Sequence, residues 1–92
     1  MIDSVNLSYF VPEKTRETIE NYIQKGWHPG SFVKSVLAND LVGAILKADD
    51  NNLMSIKEIV EYVYWCVPSD VWGSYEEVNK HLNKFERKEN EN

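Results

Sequence analysis

Ninety-two residues of 10.7 kDa fit one domain, and 42% apolar with 27% charged residues excludes a disordered or fibrous chain. Ten basic against fifteen acidic residues leave a net charge of −5 and a pI near 4.9, which argues against a DNA-binding stripe or adsorption to an anionic membrane. The lone Cys66 excludes an internal disulfide, and no apolar run approaches the ~20 residues of a membrane span. The N-terminus has neither the basic nor the apolar region of a signal peptide, so the expected location is a reducing cytoplasm.

Val5, Leu7 and Tyr9 alternate with polar neighbours, so residues 1–11 are expected to form a short extended arm. Pro12 opens a first helix, with Ile19, Tyr22 and Ile23 as its apolar stripe and Lys25-Gly26 as its stop. After the loop Trp27-His28-Pro29-Gly30, a second helix is expected from Ser31 to Lys47. Its apolar residues, from Phe32 and Val33 to Ile45 and Leu46, spread almost all round, which predicts a central helix covered on most sides. Asp49-Asp50-Asn51-Asn52 is a solvated break, with Asn52 as N-cap of a third helix from Leu53 to Cys66. Leu53, Ile56, Ile59, Val60 and Val63 form its inner face; Met54, Tyr62 and Trp65 lie on the other side and mark a subunit interface. Pro68 follows. Ser74 and Glu77 have the spacing of a capping box and begin a fourth helix, whose stripe is Tyr75, Val78, Leu82 and Phe85. The expectation is an all-α, compact four-helix domain with a helical core over 12–86 and a frayed charged tail over 87–92. A core this small makes a homo-oligomer a reasonable expectation.

The pattern offers little for catalysis. His28 and His81 stand apart, Cys66 has no neighbouring histidine, and the acidic break lacks the glycine and terminal glutamate of a calcium loop. No catalytic residue, metal or cofactor is assigned, and the chain is read as a non-enzyme. The more informative stretch is Lys25-Gly26-Trp27-His28-Pro29-Gly30-Ser31, with Lys34 one turn on. Free N–H groups at a helix start accept anions, Lys25, Lys34 and His28 concentrate basic groups, and Trp27 offers a face on which a base can stack. The same residues also read as ordinary helix punctuation. Trp72-Gly73-Ser74 repeats the arrangement at the next helix start, either as a simple cap or as a second half-site. Asn39 and Asp40 interrupt the most apolar helix. A carboxylate there needs donors, supplied by a neighbouring loop such as Trp72-Gly73-Ser74 or by a ligand edge that Asn39 and Asp40 read.

Pro29-Gly30-Ser31-Phe32, Val36-Leu37-Ala38-Asn39-Asp40-Leu41, Ala48-Asp49 and Trp72-Gly73-Ser74 together resemble a small phage and prophage family. Its members read approximately Pro-Gly-Gly-Phe, Val-Leu-x-Asn-Asp-Leu, Ala-Asp and Trp-Gly-Ser. The likeness runs from about Tyr22 to Val78, and Ser31 replaces the family's second glycine. The resemblance implies a phage accessory protein acting in a bacterial host cytoplasm. Proteins of that class are commonly counter-defence factors, which leaves two expectations. One is an oligomer that sequesters a nucleotide second messenger, of cyclic dinucleotide or ADP-ribose type, without cleaving it. The other is an inhibitor of a host defence or regulatory protein, acting through an acidic and aromatic surface.

Overall fold

The structure is a computed structural model and describes the backbone of residues 10–90 and the side chains of residues 10–86. The first helix, α1 (Glu13–Lys25), starts behind Pro12, whose φ of −52° is preset by its ring and whose carbonyl accepts from the Arg16 N–H at 2.9 Å. Thr15, Ile19 and Tyr22, spaced by four and three residues, turn inward. Gly26 ends α1 with a left-handed φ of 66° and donates its N–H to the Tyr22 carbonyl at 3.2 Å. The Phe85 ring lies over Gly26, so closely that a Cβ there would overlap it.

The helix expected over 31–47 is two helices, α2 (Gly30–Leu37) and α3 (Leu41–Lys47). Asn39 takes φ 62°, a left-handed conformation that asparagine tolerates better than most side chains. Asp40 then caps α3, accepting from the Gly43 N–H at 3.0 Å, while its own N–H returns to the Ser35 carbonyl at 2.9 Å. Asn and Asp offer the backbone local hydrogen bonds that compete with helix continuation, which is why the apolar run breaks here. The break has a large consequence. Phe32, Val33, Val36 and Leu37 remain in the core, whereas Leu41, Val42 and Leu46 are 71%, 67% and 79% exposed.

A short helix, α4 (Asp50–Met54), precedes α5 (Ile56–Cys66). Asp49, not Asn52, caps α4, accepting from the Asn52 N–H at 2.8 Å; the Asn52 side chain instead accepts from the Thr15 hydroxyl. Ile59, Tyr62 and Val63 are the buried face of α5, and Leu53 and Val60 of the expected inner face stay half exposed. Val67 and Pro68 end α5, and a 3-10 turn (Ser69–Val71) follows. The last helix, α6 (Tyr75–Asn90), begins at Ser74, whose hydroxyl accepts from the Glu77 N–H at 3.1 Å as the capping box requires. Val78, His81 and Leu82 face inward, but Tyr75 stays well exposed.

The four expected helices thus map onto α1, α2 with α3, α4 with α5, and α6. The described residues form an all-helical arrangement without a strand. Its core centres on Ile19, Tyr22, Leu37, Ile59, Val63 and Val78, with a radius of gyration of 13.1 Å, near that of a compact chain this long. Two polar ties lock it. The Tyr22 hydroxyl donates to the Val71 carbonyl at 2.6 Å, and His81 Nε2 lies 2.7 Å from the Tyr22 carbonyl. A carbonyl only accepts, so this nitrogen carries the proton and the ring is a packed core histidine. The arm expected over 1–11 falls, up to Tyr9, outside the described residues; Val11 is buried. The backbone of the tail is helical to Asn90, and its side chains from residue 87 lie outside the described residues.

Candidate functional site

The start of α2 is open. Pro29 precedes it without a side-chain cap, and its first turn contains no acid, so among the described residues no side chain caps its leading N–H groups or its positive dipole end. Gly30 takes φ 80°, and nothing lies within 4 Å of where a Cβ would stand. Gly30 and Ser31 line a groove of about 380 Å³ together with Lys14 and Thr18 of α1 and Asp49 and Asn51 beyond α3. Thr18 is turned back, its hydroxyl donating to the Lys14 carbonyl at 2.8 Å. The groove therefore combines backbone donors, the Ser31 hydroxyl, one ammonium and one carboxylate. It suits a polar ligand that both accepts and donates, and Asp49 opposes a bare anion at its own end.

The other residues singled out in the sequence divide among three places. Lys25 and Trp27 meet at the end of α1, with Nζ 4.6 Å from the indole centroid, a cation–π contact that occupies one face of the ring. Trp27 is 57% exposed, so its other face is open. His28 Nε2 lies 3.6 Å from Glu86 Oε1 of α6. Lys34 is half buried and does not line the groove; Lys14, not singled out in the sequence, takes that place. The signal for Lys14 was its position two residues after Pro12, legible only once α1 is known to pack beside the Gly30 turn.

Asn39, Asp40 and Trp72 line a different groove, of about 200 Å³, whose walls are apolar: Leu41 and Ala44 of α3, and Ile56, Val60 and Val63 of α5. Asp40 accepts from the Tyr75 hydroxyl at 2.6 Å and from its own helix at Gly43. The Tyr75 bond, then the Gly43 N–H and the Lys47 charge, hold the Asp40 carboxyl below its ordinary value against a smaller opposing effect of burial. The expected donor was the Trp72-Gly73-Ser74 turn. That turn is used otherwise: the Gly73 N–H donates to the Leu37 carbonyl at 2.6 Å, and Ser74 caps α6. Asp40 is thus a cap that also ties α3 to α6. Neither of these two grooves joins the starts of α2 and α6.

Of the three residues assigned to an interface, Met54 and Trp65 are 85% and 62% exposed, while Tyr62 turns into the core. Burial and the nearby Glu20 carboxylate push the Tyr62 phenol up to about 12. Tyr64 takes the outward position instead, its ring edge-on to Trp65 and to Trp72. The apolar surface that sequence reasoning missed is on α3, where Leu41, Val42, Ile45 and Leu46 were assigned to the core. Among the described residues no group of three or more His, Cys, Asp or Glu side chains could hold a metal ion, and no helix is long and apolar enough to cross a membrane. Comparison with family models, curated proteins and solved structures finds no match to this chain.

Proposed function

We propose that the protein is a non-enzymatic phage counter-defence factor that binds a nucleotide second messenger, of cyclic dinucleotide or ADP-ribose type, and withholds it in the bacterial host cytoplasm. The observation that carries this reading is the uncapped start of α2 at Gly30, open to solvent inside a groove that also holds Lys14 and Ser31. Backbone N–H groups at a helix start hold phosphate oxygens, and the exposed Trp27 at the mouth of the same loop supplies a stacking face for a base. Asp49 and Asn51 complement ligand donors such as ribose hydroxyls or base amino groups. The binding set then becomes Lys14, Trp27, Gly30 and Ser31, with Asn39, Asp40, Trp72, Gly73 and Ser74 serving the fold.

A thermal-shift panel of cyclic dinucleotides and cyclic ADP-ribose derivatives tests it. Sequestration predicts a melting temperature raised by several degrees at saturating ligand, with the ligand recovered chemically intact. A flat panel overturns the reading. The second reading, inhibition of a host protein, is favoured by the exposed aromatic pair Tyr64 and Trp65, and it predicts one stoichiometric host protein retained by the wild-type chain and lost from Trp65→Ala.

A further inference from the structure

Seven residues long, α3 packs chiefly on α2 and buries one side chain, Ala44. Leu41, Val42 and Leu46 already face water, so undocking the helix forfeits little apolar burial. Both of its ends are marked. Asn39 precedes it at a left-handed φ of 62°, a conformation that costs a non-glycine residue energy and relaxes if the turn opens. Ala48 follows it in extended backbone and packs against the core. Beyond Ala48 the chain is anchored again, because the Thr15 hydroxyl of α1 donates to Asn52 Oδ1 at 2.5 Å.

Two side-chain ties hold what apolar contact does not. The Tyr75 hydroxyl, on α6, donates to Asp40 Oδ2 at 2.6 Å, and Lys47 Nζ donates to Ser35 Oγ of α2 at 3.3 Å. One tie stands at each end of α3. Between them Gly43 brings the backbone so close that a Cβ would press on the Asp40 carboxylate and on Ser35 Oγ. Tyr75 and Lys47 are both exposed, so water competes for each tie. The groove that Leu41 and Ala44 line also holds Trp72, whose indole N–H is buried with no acceptor among the described residues. A buried donor without a partner is a cost of the closed arrangement, and water admitted by an opened α3 removes it.

We propose that α3 is a flap over the α3–α5 groove, hinged at Asn39 and Ala48 and latched by Tyr75 and Lys47, that opens as a unit while the other helices stay folded. Opening withdraws Leu41 and Ala44 from the groove and uncovers Val36, Val63 and Trp72. None of residues 41–47 lines the Gly30 groove, so the proposal is independent of the nucleotide reading. Native-state hydrogen exchange of the full chain over a low-urea series, read by NMR, tests it. The α3 amides from Ala44 to Lys47 should be protected at least about 100-fold less than those of Val63 and Leu82, with a much weaker dependence on urea. Ile59→Val trims the core without touching either latch, so it should lower Val63 and Leu82 protection several-fold and leave α3 unchanged. Tyr75→Phe removes one latch and keeps the ring, and it should lower α3 protection about tenfold. Exchange of α3 with the urea dependence of Val63 overturns the proposal, as does an Ile59→Val effect shared equally by α3. So does an α3 whose protection Tyr75→Phe leaves unaltered.

Discussion

Two grooves among the described residues are built on opposite plans. The one at Gly30 sets backbone and short polar side chains beside Pro12, Pro29, Phe32 and Val33, at the uncapped start of α2. The one between α3 and α5 is made of residues that a helix ordinarily buries, and no described residue closes it. The first mixes apolar walls with polar groups nearly balanced in charge, which favours a small ligand held by directed hydrogen bonds. The second has little to direct it beyond shape and apolar area, which favours a protein surface. The contrast teaches that apolar periodicity identifies a face without identifying what covers it.

The largest expected effect separates the two halves of the broken helix. Leu37, on α2, is fully buried, and Leu37→Ala should lose about 2–5 kcal/mol of folding stability through lost transfer energy and a residual cavity. Leu46 has the same chemistry nine positions on but is 79% exposed, so Leu46→Ala should change monomer stability by no more than about 0.5 kcal/mol. Urea unfolding checks both. Equal losses would place Leu46 in the core and abolish the apolar face.

A smaller effect bears on the polar groove. Gly26 sets the direction in which the chain leaves α1 toward Trp27 and Gly30. Gly26→Ala should destabilise by about 1–2 kcal/mol from its left-handed backbone alone, with more from displacing Phe85. It should also weaken nucleotide binding by moving the loop. Smaller again are the direct contacts. Lys14→Ala should reduce nucleotide affinity about tenfold, the worth of one charge-assisted hydrogen bond, and Trp27→Ala by a similar factor through lost stacking. Isothermal titration reads both. If Lys14→Ala is silent while Lys34→Ala is not, the ligand lies outside the groove.

Much of the fold was legible in the sequence because its signals are local. Pro12, the Lys25-Gly26 stop and the Ser74 to Glu77 box each act within one turn, and each stands where expected. The α2–α3 break was legible too, but its sign was misread: Asn39-Asp40 looked like a burial problem inside one helix when it was the end of that helix and the cap of the next. The inward turn of Tyr62 and the outward turn of Tyr64 were not legible, since both lie on a helix whose apolar residues exceed one face. Lys14 was invisible for a third reason. Its relation to Gly30 arises from the packing of α1 beside the loop, and no spacing along the chain encodes it.

The smallest expected effect tests how the rim of the apolar groove is held. Asp40 ionises below its ordinary value of 3.8 because Tyr75 and the Gly43 N–H donate to the charged form. A carboxyl whose folded value is depressed stabilises the fold at any pH above the ordinary value. That contribution fades as pH falls from there through the folded value, since the unfolded chain takes up its proton first. Tyr75→Phe removes the larger of the two bonds while keeping the ring, so the Asp40 titration should move back up toward 3.8 and the acid limb of the stability curve, which still begins near the ordinary value, should become smaller. Carbon-detected NMR titration of the Asp40 carboxyl reads the shift directly. An unchanged titration would mean that Tyr75 is not bonded to Asp40 in solution, and the start of α6 would then be held only to α2, through the Gly73 N–H on the Leu37 carbonyl and the Tyr75 hydroxyl beside Ser35 Oγ, among the bonds of the described residues.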